Sequence, residues 1–329
     1  MSRTNRWRDW WEGVPAAVTG WNAAYRWLGP TRRRVVVLNW HHVSGEDFRR
    51  QLGFLLTRHV VVRLSEAVAC AAGEASSPQR PHRIALTFDD AYESFLTGPY
   101  PVLREFGVPA TLFVAPGLLG TVPFWYVAER ALELSAAGSF EWRGRTWDNA
   151  PGRTRDKTAA GLVAELKPMY PAAERDAALA GLLDALGVGR ERAEAGQPRV
   201  MSAEQVAGLD PTIVTVGAHT ISHPALARIP AEARAAELSD GRRECERLAG
   251  RPVGDFAFPY GRGGDVDAAC SAAAREAGFR SAFTTVKGDC GRGADPFALP
   301  RVDLVGHEGR FAVAVRAGGS TRWLKGLLR

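Results

Sequence analysis

The chain predicts an α/β fold of parallel strands joined by crossover helices, and two features of the sequence carry that prediction. From Arg34 onward, short apolar runs stop abruptly at polar residues, and between them lie alanine-rich stretches with apolar positions at helical spacing. The strand-like runs are Val35 to Asn39, Ile84 to Phe88, Ala110 to Val114, Ile213 to Val216, Phe256 to Phe258 and Ser281 to Thr284. The helical stretches are Asp47 to Leu56, Tyr100 to Phe106, Ala231 to Leu248 and Val266 to Ala277. Strands separated by helices of this length pair in parallel, because a parallel pair needs a long crossover.

A length of 329 residues allows two domains or one large α/β barrel, and the order of the motifs below favours one. With 46% hydrophobic and 24% charged residues, the composition is that of a globular chain able to bury a sizeable core. The net charge of +6, from 42 basic and 36 acidic residues, is too modest to point to nucleic acid. Part of the excess sits in Arg3, Arg6, Arg8, Arg26, Arg32, Arg33 and Arg34, which suits an anionic membrane surface. The four cysteines, Cys70, Cys245, Cys270 and Cys290, are widely spaced and read as ordinary thiols.

Residues 5–28 place Trp7, Trp10, Trp11, Trp21 and Tyr25 at mostly helical steps, giving an N-terminal amphipathic helix. It either lies in the membrane interface or packs on the domain. No signal-like apolar stretch follows the basic start, and no run approaches the roughly 20 apolar residues of a spanning helix. A cytoplasmic location is therefore expected, with peripheral contact at the inner face of the membrane if the helix binds lipid. The organisation expected is a Trp-rich segment over residues 1–30, a catalytic barrel over 31–315 and a basic tail over 316–329. Within the barrel, residues 118–200 are too long for a normal crossover. Their Trp-rich part (Trp125, Trp142, Trp147) and alanine-rich part (Ala159 to Leu186) read as a helical insertion, a lid or substrate wall.

Three segments carry chemistry. The run Ile84 to Phe88 ends in Asp89 and Asp90, where α/β folds place their active sites. Adjacent strand residues point opposite ways, so one carboxylate can bind a metal while the other stays free as a general base. Alone, such a pair is more often a turn and a helix cap. His219-Thr220-Ile221-Ser222-His223 follows the strand-like run Ile213 to Val216, and a spacing of four puts both imidazoles on one face if the segment is helical, which suits capture of a divalent metal. Phe258-Pro259-Tyr260-Gly261 ends a third run and by itself is a strand and its turn.

In this order, and each after a strand, the three segments resemble the polysaccharide deacetylases, the NodB-homology fold of carbohydrate esterase family four. The resemblance runs from Trp40-His41-His42-Val43 to Leu299-Pro300-Arg301-Val302 and is nearest to the branch whose third motif reads Phe-Ala-Tyr-Pro-Tyr-Gly, here with Phe258 for the first tyrosine. It implies a distorted (β/α) barrel of parallel strands around one divalent ion held by Asp90, His219 and His223. Zinc is the default, with cobalt, nickel or manganese also suited to this donor set. It further implies Asp89 as the general base for the attacking water and the N–H of Tyr260 as an oxyanion donor.

Two departures stand out. Many members carry an arginine two residues before the proline to orient the base, and here that residue is Ala257; Arg301 is the alternative, able to clamp a carboxylate bidentately, or else a structural arginine. The late Leu-x-His histidine that protonates the leaving amine is missing, which leaves His307 and His41 as candidates for the acid or a substrate contact. The expected activity is removal of an N-acetyl group from an amino sugar, in a glycan, an oligosaccharide or a lipid-linked precursor. Two alternatives remain: deacylation or deformylation of another small amide, or a non-catalytic glycan-binding or membrane-associated scaffold on the same fold.

Overall fold

A computed structural model describes residues 34–74 and 82–317. The Trp-rich segment, and all of the tail beyond residue 317, lie outside the described residues. The strands are β1 (Arg34–Trp40), β2 (His59–Val62), β3 (His82–Phe88), β4 (Ala110–Val114), β5 (Ser139–Trp142), β6 (Arg145–Asp148), β7 (Val214–Ala218), β8 (Asp255–Ala257), β9 (Ser281–Phe283), β10 (Cys290–Gly291) and β11 (Val302–Asp303). One curled sheet runs β10-β1-β3-β4-β7-β8-β9, with β2 also on β3 and β11 also on β1. Its pairs are parallel except β10, which runs antiparallel to β1 and makes the sheet mixed rather than wholly parallel.

The segment Leu299 to Asp303 closes this sheet into a distorted, partly open barrel. At one end the Leu299 N–H donates to Ala282 O (2.9 Å), and Leu299 O accepts from Thr284 N (2.8 Å). Three and four residues on, Val302 and Asp303 pair with Leu38 and Asn39 of β1. One short stretch thus joins the last long strand to the first and carries Arg301 into the closed end.

Alternation along the strands sorts the core into two layers. Val35 and Val37, Ala85, Phe113, Ala257 and Phe283 share the inner cluster. Their neighbours Val36, Leu38, Trp40, Ile84, Leu86 and Phe88 face the helices instead. Each fully buried side chain of this size stabilises the fold by roughly 1.5–3 kcal/mol. The helix Gly45–Leu56 shows how a helix is fixed to the outer layer. Ser44 caps it by accepting from Asp47 N, and Phe48, Leu52 and Leu55 are buried at helical spacing. Its one buried amide, Gln51, accepts from Trp40 Nε1 (3.0 Å) and donates to Val305 O (2.8 Å), so the helix is tied to β1 and to the chain leaving β11.

The insertion builds a core of its own from Val127, Leu132, Trp142, Trp147, Leu162 and Leu182. Its two ends are paired, Gly120 N to Met201 O (3.0 Å) and Val200 N to Thr121 O (2.9 Å). It is not wholly helical: β5 and β6 form a hairpin that brings Trp142 and Trp147 together. The alanine-rich stretch is two helices, Arg153–Leu166 and Ala172–Leu186, because Pro168 and Pro171 cannot sit inside one.

The inner layer leaves little room at Gly217 of β7, where a Cβ would lie 2.5 Å from the Phe113 ring and 3.2 Å from Asp255 O. Gly217→Ala is expected to lower stability by about 1–3 kcal/mol through overpacking, seen as a lower urea midpoint at unchanged slope.

Candidate active site

Asp89 follows β3 on the inner face, in line with Ala85 and Thr87, and so points into the closed end of the barrel. There Arg301, fully buried, donates from Nη1 to Asp89 Oδ1 (2.7 Å) and from Nη2 to Oδ2 (2.8 Å). The same guanidinium donates to Thr284 O (3.1 Å) and to Asn39 Oδ1 (3.1 Å). Asn39 is the inward polar residue at the end of β1. Its Nδ2 donates to Asp89 Oδ2 (3.0 Å), and its Oδ1 also accepts from Thr87 Oγ1 (2.9 Å). Burial alone would raise the Asp89 pKa, but Arg301 and the nearby His219 and His41 outweigh it and hold the carboxyl below its ordinary value. Arg301 thus clamps the Asp89 carboxylate bidentately, whereas position 257 holds an alanine.

Asp90 does not continue the strand. Its φ of 67° turns the chain left-handed, so the second carboxylate faces the same site from another side. Asp90 Oδ1 lies 3.3 Å from His223 Nε2 and 3.5 Å from His219 Nε2. The three ligand atoms lie within 4.8 Å of one another, and all three residues are buried. Among non-glycine residues with positive φ, Asp90, Ala91, Thr220, His223 and Tyr260 belong to this site and only Arg143 lies elsewhere among the described residues. Such conformations cost of order 1–3 kcal/mol each and gather where function fixes the geometry.

The segment between the two histidines is a loop, not the turn of helix that their spacing suggested. The physical reason is a buried carboxylate. Glu237, on the helix Ala231–Ala249, accepts from Ile221 N (2.9 Å), Ser222 N (2.8 Å) and Ser222 Oγ (2.6 Å), holding a loop whose positive φ at Thr220 (66°) and His223 (60°) excludes a helical turn. Thr220 Oγ1 accepts from His223 N (3.0 Å). Gly241 of the same helix lets the loop approach, since a Cβ there would fall 2.8 Å from the Thr220 carbonyl carbon.

The donor set fits a divalent ion. Ligands about 2.0–2.1 Å from a tetrahedral centre sit roughly 3.3–3.4 Å apart, close to the observed separations. Asp90 Oδ1 is buried with no hydrogen-bond partner, an arrangement costly for a carboxylate unless a cation neutralises it. His219 Nδ1 lies 2.7 Å from Ala257 O; donating to it leaves Nε2 free toward Asp90. Burial, with a contribution from His223, pushes the His219 pKa down to about 4, so its imidazole is neutral and ready to ligate at pH 7.

Of the remaining sequence candidates, His41 is exposed with Nε2 3.8 Å from Asp89 Oδ2. His42 is engaged elsewhere, with Nε2 2.7 Å from Tyr126 Oη and Nδ1 3.2 Å from Ser94 Oγ. His307 is exposed in the loop after β11 and has no hydrogen bond or ion pair among the described residues. Tyr260 packs its ring 4.8 Å from that of His223, and its backbone N–H has no acceptor among the described residues. Sequence reasoning missed Asn39, Glu237 and the position of Trp125, whose ring lies 5.0 Å from His223. Asn39 had a signal, a polar residue at the end of an apolar strand; Glu237 had none, being one of several acids on a charged helix.

Because both partners are buried, removing one leaves an uncompensated charge. Arg301→Met is expected to lower stability by about 3–5 kcal/mol, measured by urea denaturation.

Residues 76–167 match the family model described as polysaccharide deacetylase, a stretch that holds Asp89 and Asp90 but neither histidine ligand. No curated protein matches the chain by sequence. Among solved structures, IcaB from Ammonifex degensii is 19% identical with a TM-score of 0.57, covering 87% of this chain and 97% of that one. The deacetylase PplD of Streptococcus pyogenes, solved in complex with acetate, is 14% identical with a TM-score of 0.56, covering 87% and 99%. A de-N-acetylase from Aggregatibacter actinomycetemcomitans is 14% identical with a TM-score of 0.50, covering 84% and 97%. On the barrel, the matched segment and these likenesses, the chain has the fold of the polysaccharide deacetylase family.

Proposed function

We propose that the chain is a metal-dependent hydrolase that removes the N-acetyl group of an amino sugar. The observation that carries this reading is the pairing of a buried Asp-His-His triad, whose Asp90 Oδ1 has no hydrogen-bond partner, with a separate carboxylate, Asp89, aimed by Arg301 and Asn39. The activities named for the similar Streptococcus and Aggregatibacter proteins support acetyl as the acyl group.

Asp90 Oδ1 and the two Nε2 atoms would hold the ion, which supplies Lewis acidity toward the attacking water and the amide carbonyl. Asp89 accepts the proton from that water. Its two oxygens are fixed by Arg301 and Asn39, and its charge is kept by the guanidinium, so it enters the reaction ionised and oriented. The free N–H of Tyr260 is a donor for the developing oxyanion. Of the two candidates for protonating the leaving amine, His41 is favoured over His307 by its 3.8 Å separation from Asp89, across which a proton gained by the base can be passed on.

The test is acetate release from N-acetylglucosamine oligomers, nucleotide sugars and lipid-linked analogues, with added zinc or cobalt. Asp89→Asn is expected to lower kcat about 10²–10⁴-fold while keeping the metal. A variant as active as the parent would overturn the role of the base. His219→Ala and His223→Ala are each expected to lose stoichiometric metal by elemental analysis, and chelation of the parent protein should abolish activity until zinc or cobalt is restored.

A further inference from the structure

Two arginines are buried among the described residues, Arg301 and Arg175, and they are treated very differently. Arg301 is saturated by Asp89, Asn39 and Thr284. Arg175, on the insertion helix Ala172–Leu186, is 3% exposed, and its Nε and Nη1 are buried without any hydrogen-bond partner. No carboxylate lies within ion-pair distance of it among the described residues. An arginine stays charged at any ordinary pH, so this is a desolvated cation with no ion-pair partner at contact distance, Asp176 and Glu237 acting on it only from farther off. The group in direct contact with it is the face of Phe124, 4.7 Å from its guanidinium carbon.

Its place in the molecule is specific. Phe124 packs on Trp125 (ring centroids 5.0 Å), and Trp125 on the metal ligand His223 (5.0 Å). From the other side, Arg175 lies near enough to act electrostatically on the buried, neutral Tyr260 phenol, whose ring also contacts His223. A second cation stands close by: Lys167 Nζ lies 4.6 Å from the Tyr260 ring centroid. Lys167 is already paired with Asp265 at 2.7 Å. Arg175 is the unpaired cation of this wall.

We propose that Arg175 recognises an oxyanion, phosphate or carboxylate, carried by the N-acylated substrate whose amide is bound at the triad. The guanidinium fork presents parallel N–H donors that match either group, and its desolvated setting strengthens the interaction. This rests on the hydrolase reading above and deepens it: the substrate is an anionic amino-sugar derivative, not a neutral glycan.

The test compares kcat/KM for acetate release from N-acetylglucosamine 1-phosphate, N-acetylglucosamine 6-phosphate and N-acetylmuramic acid with that from neutral methyl N-acetylglucosaminide. The metal-loaded full chain is used, as parent, Arg175→Gln and Arg175→Lys. At least one anionic substrate should exceed the neutral one by about tenfold or more, the effect of a charge-assisted hydrogen bond. The ratio should fall to about one in Arg175→Gln and to an intermediate value in Arg175→Lys, which keeps a charge but not the fork. The phosphate and carboxylate arms say which oxyanion is read. A ratio near one in the parent, or one unchanged by Arg175→Gln, overturns the proposal. Thermal stabilisation by the same sugars, taken as parent minus Arg175→Gln, separates this failure from that of the hydrolase reading. Arg175-dependent stabilisation without acetate release keeps the anion site and removes the deacetylase; absence of both removes the two together.

Discussion

The buried pair between Asp89 and Arg301 is the constraint on which the rest of the site depends. A carboxylate at the end of β3 can be left dry and charged only if a cation reaches it, and the cation comes from the short segment that closes the barrel between β9 and β1. Closure and catalytic geometry are therefore one feature. Asn39 links the same two elements, bonding Asp89, Arg301 and, at 3.2 Å, Asp303 of β11. Loosening the closing segment would misplace the proposed base and strand its charge, so the site is held by the interactions that complete the fold.

A second constraint acts on the metal side. Asp90, Thr220, His223 and Tyr260 adopt left-handed backbone conformations that their side chains disfavour, and each is held by a neighbour. Glu237 fixes the loop between the histidines through three donors, and Gly241 and Gly117 allow backbone to approach it closely. The strain is local and the restraint comes from helices behind the sheet. Asp90 Oδ1, left without a partner, is then the natural destination of an ion rather than a defect of packing.

Much of this was legible in the sequence because it follows from periodicity. The six apolar runs became strands β1, β3, β4, β7, β8 and β9 within a few residues, since alternating burial on two faces demands such runs. Asp89, Asp90, His219 and His223 were marked by standing just past strand ends. What could not be read were features without a period. β10 and β11 are two-residue pairings with β1, too short to show a period. The loop between the histidines was invisible because its cause, Glu237, lies 14 residues beyond His223 on a separate helix. Arg301 was legible as a candidate but not as the partner of Asp89, because the contact spans 212 positions and exists only once the barrel closes.

The insertion gives the site a division of labour. Strand ends and the loops that follow them supply every atom proposed to bind the ion or move a proton, whereas Trp125 and Arg175 come from a unit with its own core and paired ends. Because that unit stands largely on its own packing, its surface toward the triad can change without disturbing the ligands, which are held from the opposite side by Glu237 and Ala257 O. The contact of Trp125 with His223 is the seam between the two parts. A residue at that seam belongs to chemistry by proximity and to recognition by origin. An unpaired cation two rings further out, at Arg175, is where a charged part of a substrate would meet the insertion while its amide stays at the barrel mouth.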